Sequence, residues 1–281
     1  MSQKSYDNSP TLYLIPTPIG NLDDITLRAV DTLKKVKVIF CEDTRITRQL
    51  LNHLGINKKL IASHKFNEET NGDKLLKYLE SGDVGLVTDR GTPIISDPGY
   101  ELVKIAIANN YNVVSLPGPT AFVPALTVSG LSPQPFLFYG FLNNKDSKRK
   151  KELEELKDYP FTIIFYEAPH RILDTLECME KILGNRNICI SREISKKFEE
   201  VYRGKISDIK SLMTDIKGEL VIVVEGSNQE KSYDNLSIIE HVNLYIMNGY
   251  DKKEAMKLVS KDRGISKSDV YKEYHRGEIW N

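Results

Sequence analysis

The segment Thr88-Asp89-Arg90-Gly91-Thr92-Pro93 runs on into Ile94-Ile95-Ser96-Asp97-Pro98-Gly99, and its residue types could do chemistry. Glycine and proline fix a rigid turn and let a ligand come close to main-chain N–H and C=O groups. The aspartates bring negative charge and Arg90 brings a cation. An apolar run at residues 84–87 directly precedes the segment and reads as a buried strand; a helical pattern over 101–109 follows it. A turn of this kind, at the carboxyl end of a strand, stands where open α/β sheets bind ligands. It is neither common nucleotide loop, because the chain contains no G-x-G-x-x-G and no G-x-x-x-x-G-K-[ST].

Three further loops, residues 16–21, 42–45 and 117–120, also follow apolar runs that read as strands. Parallel neighbours would bring all four loops to one rim. Such a rim suits a neutral or zwitterionic ligand read by backbone groups, although tight strand-to-helix turns need Gly and Pro for geometry alone. Glu42-Asp43-Thr44-Arg45 puts two carboxylates and an arginine at a strand end. One reading makes Asp43 or Thr44 a helix N-cap, with Glu42 favouring the positive helix end; the other makes them functional. Glu167 ends a later strand in the same way, and His64 lies on a third loop. Lys145, Lys148, Arg149, Lys150 and Lys151 form the densest basic cluster, either a solvated face balanced by Glu152, Glu154 and Glu155 or a phosphate-contacting patch.

The elements that must position these residues follow from periodicity. Strands are expected at 12–15, 36–41, 59–63, 84–87 and 111–116, with helices at 26–35, after 42–45 through about 53, at 67–79 and 101–109 and another after 120. This alternation means βαβ units and a largely parallel sheet. Residues 130–135 read as a linker, after which a second, mixed α/β pattern runs to about 230. It has strands at 136–141, 161–166, 188–191, 201–204 and 220–224, and helices at 148–156 and 171–183. From 231 the pattern becomes three short helices, at 237–247, 252–261 and 267–275, with Gly stops and Asp or Ser starts. They resemble a helix-turn-helix appendage; a helical tail packed on the body is the alternative. The expected organisation is a loose start over 1–10, a first α/β domain over 11–129, a second over 130–230 and a helical tail over 231–281.

Composition sets bounds. A chain of 281 residues suggests about two domains. Lysine plus arginine and aspartate plus glutamate each number 39, so an anionic partner must be held by a local patch. The tail, with nine basic and eight acidic residues, does not break this balance. Three scattered cysteines fit a reducing compartment without disulfides, and the absence of CxxC and HxxxH argues against zinc. The polar start has no apolar signal core, and no apolar stretch nears the roughly 20 residues that span a bilayer. A soluble, cytoplasmic protein is expected, with no metal and no membrane partner.

In order along the chain, Thr17-Pro18-Ile19-Gly20-Asn21-Leu22, Glu42-Asp43-Thr44-Arg45, Gly91-Thr92-Pro93 with Ser96-Asp97-Pro98-Gly99-Tyr100, Leu116-Pro117-Gly118-Pro119, Phe165-Tyr166-Glu167-Ala168-Pro169-His170-Arg171 and Arg192-Glu193 closely resemble the tetrapyrrole methylase superfamily. The resemblance covers about residues 11–226 and, more loosely, the tail. Within the superfamily the chain looks like the bacterial enzymes that 2′-O-methylate a cytidine ribose in the decoding region of 16S rRNA. Tetrapyrrole-making relatives usually carry Gly-x-Gly-Pro-Gly-Asp in the first loop, where this chain has Pro18-Ile19-Gly20-Asn21.

The resemblance implies two α/β domains with S-adenosylmethionine in a trough between them, commonly in a homodimer, and 16S rRNA within the small ribosomal subunit as partner. It implies cofactor contacts at Pro18, Asp89, Gly91, Thr92, Ile94, Thr120 and Ala121, and from the second domain at Tyr166, Glu167, Ala168, Glu219 and Leu220. A ribose hydroxyl needs a proton acceptor, for which Glu42, His64 and Glu167 are the candidates. Arg45 and the cluster Lys145, Lys148, Arg149, Lys150 and Lys151 are the candidates for RNA phosphates. Two departures stand out: Arg90 replaces a small residue, often Ala, and Phe66 replaces a second histidine. A long cation beside a sulfonium would repel it, or else point to solvent or RNA. Competing readings are a methylase of a small tetrapyrrole-like acid and a non-catalytic RNA-binding module.

Overall fold

The computed structural model describes residues 2–5, 7–63, 68–227 and 236–278. His64 and Phe66 therefore lie outside the described residues. The chain divides into two compact units, 1–227 and 228–281.

The first unit opens with β1 (Thr11–Leu14), α1 (Leu27–Lys35), β2 (Val38–Cys41), α2 (Thr44–His53), β3 (Lys59–Ala62), α3 (Glu68–Leu79), β4 (Val84–Val87), α4 (Tyr100–Ala108) and β5 (Asn112–Ser115). All five strands pair in parallel in the order β3-β2-β4-β1-β5. The central β2 and β4 are apolar and buried throughout, as a parallel sheet covered on both faces requires. Alternation along β2 divides the core. Ile39 and Cys41 pack with Ala29 and Leu33 of α1 and Leu51 of α2, whereas Val38 and Phe40 pack with Leu75 and Leu79 of α3 and Leu102 of α4.

A second sheet follows. Its elements are α5 (Phe122–Ser129), β6 (Phe136–Phe141), α6 (Asp146–Leu156), β7 (Thr162–Glu167), α7 (Ile172–Leu183), β8 (Asn187–Arg192), β9 (Glu200–Lys205), α8 (Ile206–Lys210) and β10 (Leu220–Val224). The order is β6-β7-β10-β8-β9, with β6–β7 parallel and the other pairs antiparallel. One face is covered by α6, α7 and α8 through Leu153, Leu176, Ile206 and Ile209. The other is covered by α5, whose Ala125 and Leu126 meet Ile164, Cys189, Val221 and Val223. Thus α5, which the expected boundary at 129 gives to the first domain, packs on the second sheet. Both sheets lie in the compact unit 1–227. The short α8, absent from the periodicity reading, has too few residues to show a pattern.

The tail unit holds α9 (Ile238–Met247), α10 (Lys252–Asp262) and α11 (Lys267–Glu278). Ser237 and Glu240 form a reciprocal capping box on α9, and Asp251 caps α10. Val242, Ala255, Val259, Val270 and Tyr274 make its small core. Arg263 donates to Nδ1 of the buried His241 at 3.1 Å. Burial, together with the Arg263 charge, holds the His241 pKa below the usual histidine range. No helix among the described residues is long and apolar enough to cross a membrane.

Candidate active site

The carboxyl ends of the parallel strands meet at one rim, and main-chain bonds lock two of its loops together. Thr17 N–H donates to Gly91 O at 2.9 Å and Gly91 N–H to Thr17 O at 3.0 Å. The Thr92 hydroxyl ties the segment to the loop after β5 by donating to Pro119 O at 3.0 Å. Gly91 has φ +86°, and a Cβ there would lie 3.3 Å from Ile19 Cγ2, so the position needs both the backbone freedom and the room. Further along the segment, Ile94 and Ser96 have φ of 77° and 67°. A β-branched residue in that region is strained, by an amount on the order of 1–3 kcal/mol. Ser96, Asp97 and Ile95 follow from this turn into a cavity wall.

Two adjoining cavities lie along the seam between the sheets. The smaller, about 220 Å³, is lined by Gly91, Thr92, Thr120 and Ala121 from the first rim and by Phe141, Tyr166, Glu219 and Val221 from the second sheet. Ile19 and Asp97 also line it. The larger, about 530 Å³, lies over Thr17, Pro18, Asp89, Gln49 and His53, with Glu193 and Lys196 from the other side. Arg90 lines both.

Arg90 Nη1 donates to Glu219 Oε1 at 2.5 Å and so joins the two sheets at the partition. Glu219 also accepts from Lys196 Nζ at 2.6 Å, and Lys196 reaches Glu193 at 2.7 Å. Lys196 lies so close over Gly20 that a Cβ there would meet its Cγ. Ser195 bonds to Asp24 across the same seam. Arg90, the residue at odds with the resemblance, is therefore neutralised by Glu219. Its charge is matched at the cavity wall instead of facing a cationic ligand alone.

Carboxylates dominate the first rim. Asp43 caps α2 by accepting from Arg45 N–H at 2.8 Å. The hydrogen bonds from Arg45 hold its pKa down to about 2. The N-cap reading of Asp43 is thus present in the fold, and Arg45, though highly exposed, is ion-paired to it at 2.6 Å. Asp89 accepts from Asp43 N–H at 3.0 Å, and burial raises its pKa. Glu42 accepts from the buried Thr88 hydroxyl at 3.1 Å. Asp97 is the most perturbed: burial, with a smaller push from the Glu42 and Asp89 charges, raises its pKa to about 6. The same Thr88 hydroxyl faces Asp97 and partly offsets this rise. Burial also raises the pKa of Tyr166, on the opposite wall.

The structure brings together Gly91, Thr92, Thr120, Ala121, Tyr166 and Glu219 at the smaller cavity, and Pro18 and Asp89 at the larger. It keeps four expected contacts away from both linings. Ile94 packs on the core of the first sheet and Leu220 in that of the second. Ala168 N–H is spent on Glu167 Oε1 at 2.8 Å. Glu167 itself is 2% exposed; it accepts from the Thr175 hydroxyl at 2.6 Å and pairs with Arg171 at 3.3 Å. Both its oxygens are engaged inside the fold, so it is corrected from a proton acceptor to a buried cross-link. Arg149 is also corrected. It is 5% exposed and bonded to Asp146 at 3.1 Å, so it cannot offer its charge to RNA as Lys145, Lys148, Lys150 and Lys151 can.

Sequence reasoning missed Asp97, Ile19, Phe141 and Val221 as wall residues. Asp97 and Ile19 stand in the segments that carried the resemblance, and Asp97 had a readable signal: a carboxylate beside Pro and Gly at a strand end. Phe141 and Val221 lie on a different sheet and carried none. Among the described residues, no group of three or more His, Cys, Asp or Glu is arranged to hold a metal ion.

The chemistry of the walls fits S-adenosylmethionine. Aromatic and aliphatic side chains suit a purine and a thioalkyl chain, rim main chain and hydroxyls suit its polar groups, and the carboxylates suit a cationic sulfonium.

Comparison with known proteins places this geometry. Residues 11–210 match the model of the Tetrapyrrole (Corrin/Porphyrin) Methylases. The chain is 47% identical to the ribosomal RNA small subunit methyltransferase I of Bacillus subtilis, covering 98% of this chain and 97% of that protein. It is 43% identical to the protein of the same name from Streptococcus pyogenes, covering 97% and 98%. Among solved structures it resembles a cobalt precorrin-4 methyltransferase, with a TM-score of 0.58 and 15% identity over 76% of this chain and 94% of that one. It also resembles the Thermus thermophilus uroporphyrin-III C-methyltransferase complexed with S-adenosylhomocysteine, with a TM-score of 0.56 and 17% identity over 76% and 97%. These last two likenesses bear on the fold alone.

Proposed function

The chain belongs to the tetrapyrrole methylase family, in the group of the ribosomal RNA small subunit methyltransferases I, and from that premise we propose that it methylates the 2′-hydroxyl of a cytidine in the decoding region of 16S rRNA. The observation that carries the reading is where the matches end. The match to the tetrapyrrole methylase model stops at residue 210. The ribosomal RNA methyltransferases match nearly end to end in both directions. The match to the ribosomal RNA methyltransferases therefore takes in the helical tail.

S-adenosylmethionine supplies an electrophilic methyl group when bound, and the protein supplies alignment and a route for the proton. Gly91, Thr92, Thr120, Ala121 and Tyr166 would hold it in the smaller cavity. Arg90 and Glu219 together add no net charge beside a sulfonium. The larger cavity, next to the first across Arg90, would admit the acceptor nucleotide. Arg45, Lys145, Lys148, Lys150 and Lys151 remain the proposed phosphate contacts; all five are exposed. The reading includes a pair of identical chains in the cytoplasm. Val123, Val128 and Phe136 are exposed apolar residues that such a pair would cover.

The test is to incubate the protein with methyl-labelled S-adenosylmethionine and small ribosomal subunits lacking the modification, then locate the label. Label on a cytidine ribose of the decoding region is expected. Label on a base, on another region or only on a tetrapyrrole would overturn the reading.

A further inference from the structure

We propose that Asp97 is the catalytic proton acceptor for the hydroxyl that is methylated. The inference rests on the ribose-methylating reading above.

The argument begins with elimination among the carboxylates. Glu167 is buried with both oxygens engaged. Asp43 is committed to the α2 cap and to Arg45. Asp89 gives one oxygen to Asp43 N–H and lines only the larger cavity, away from the smaller one where the methyl group would be held. Glu219 also faces the smaller cavity, but Arg90 and Lys196 claim its two oxygens. Asp97 is the remaining carboxylate on that wall, held there by a backbone turn with two residues at positive φ. Strain of this kind persists where the surrounding structure fixes it, and here it aims a side chain.

Thr88 stands between the two carboxylates: its hydroxyl donates to Glu42 Oε2, and turned to Asp97 it would steady that carboxylate instead. The groups facing Asp97 are Glu42 after β2, Thr88 and Asp89 after β4, and Tyr166 on β7. Burial, with a smaller push from the two carboxylates, holds the Asp97 pKa at about 6, close to working pH, where a general base is most effective. In the step, the hydroxyl O–H bond breaks and its proton goes to Asp97. The oxygen pair forms the new O–CH3 bond, and the S–CH3 pair returns to sulfur, which leaves as a neutral thioether.

The experiment uses the full chain, S-adenosylmethionine and unmodified small subunits in single-turnover assays across pH. Asp97→Asn should lower the rate by about 100- to 10,000-fold, far more than it weakens S-adenosylmethionine binding, with a melting temperature no lower than wild type. The wild-type rate should rise with pH and level off above about 6. Glu42→Gln removes a negative neighbour and should move that rise to lower pH. A carboxyl NMR titration of Asp97 without cofactor should show the same displacement. An Asp97→Asn rate within about threefold of wild type would overturn the proposal, as would an acid limb that Glu42→Gln does not move. Should Asp97→Asn fail to fold, the pH profile and titration of Glu42→Gln decide alone. A wild-type protein that puts no label on ribose would instead sink the functional reading, so the two failures are distinct.

Discussion

Each sheet has a carboxylate at the end of a strand or in the loop beyond it, and the two have opposite fates. Asp97 follows β4 of the parallel sheet and Glu167 ends β7 of the mixed one. Asp97 lines a cavity, and burial beside like charges lifts its pKa to about 6. Glu167 is shut inside the fold, where Thr175, Ala168 N–H and Arg171 satisfy it. The difference teaches that residue type and strand-end position do not make a proton acceptor. A carboxylate that is desolvated but incompletely compensated can exchange a proton near neutral pH; one compensated by several donors becomes a staple.

The comparison can be broken most directly by removing the staple. Glu167→Ala leaves Arg171 and Thr175 without their partner inside the fold and should cost about 3–5 kcal/mol in urea unfolding. Asp97→Asn should not destabilise the fold at pH 7 and should stabilise it, because it removes a buried charge. Similar losses for both would erase the distinction.

A second test asks whether the contrast is confined to unit 1–227. Deleting residues 228–281 should raise the RNA concentration needed for half-maximal methylation by tenfold or more, about 1.4 kcal/mol. Cofactor affinity should stay within about twofold, since the cavities belong to the first unit. Equal loss of both would show that the tail supports the cofactor site as well.

The pH dependence of stability sharpens the contrast further. The folded pKa of Asp97, about 6, exceeds the unfolded value of 3.8. Between those values the fold binds more protons than the unfolded chain, so this contribution is full below pH 3.8 and is lost as pH rises through about 6. Chemical unfolding from pH 4 to 7 should show that decline in wild type, and Asp97→Asn should lack it.

The smallest effect is expected at the partition. Arg90 and Glu219 are each more than half exposed, so Arg90→Ala should cost less than about 1 kcal/mol of stability. If Arg90 leaves Glu219 for a phosphate, the slope of log affinity for RNA against log salt should fall by about one in the same variant. An unchanged slope would confine Arg90 to joining the sheets.

Much of this was legible before any fold. The strands announced themselves because parallel strands buried on both faces must be short apolar runs, as Val38–Cys41 and Val84–Val87 are. The rim loops were legible because tight turns at strand ends need Gly, Pro and capping residues. Asp43 could be read as an N-cap because its partner is two residues away. Arg149 was misread because a helix has an inner face, and the cluster's spacing alone did not reveal which basic residue would fall on it. The packing of α5 on the second sheet was hidden because its apolar pattern says that it is buried, not against what.

By itself, then, the sequence determined the local elements, the four rim loops and the family, since these depend on periodicity, turn chemistry and ordered motifs within short windows. The tertiary structure decided charge and access. The partner of Arg90 lies 129 residues away. The pKa of Asp97 depends on its burial and then on Glu42 and Asp89, brought together by parallel pairing, and Glu167 is a staple because α7 carries Thr175 over it. Electrostatic strength follows distance and desolvation, and neither is a property of the chain until it folds.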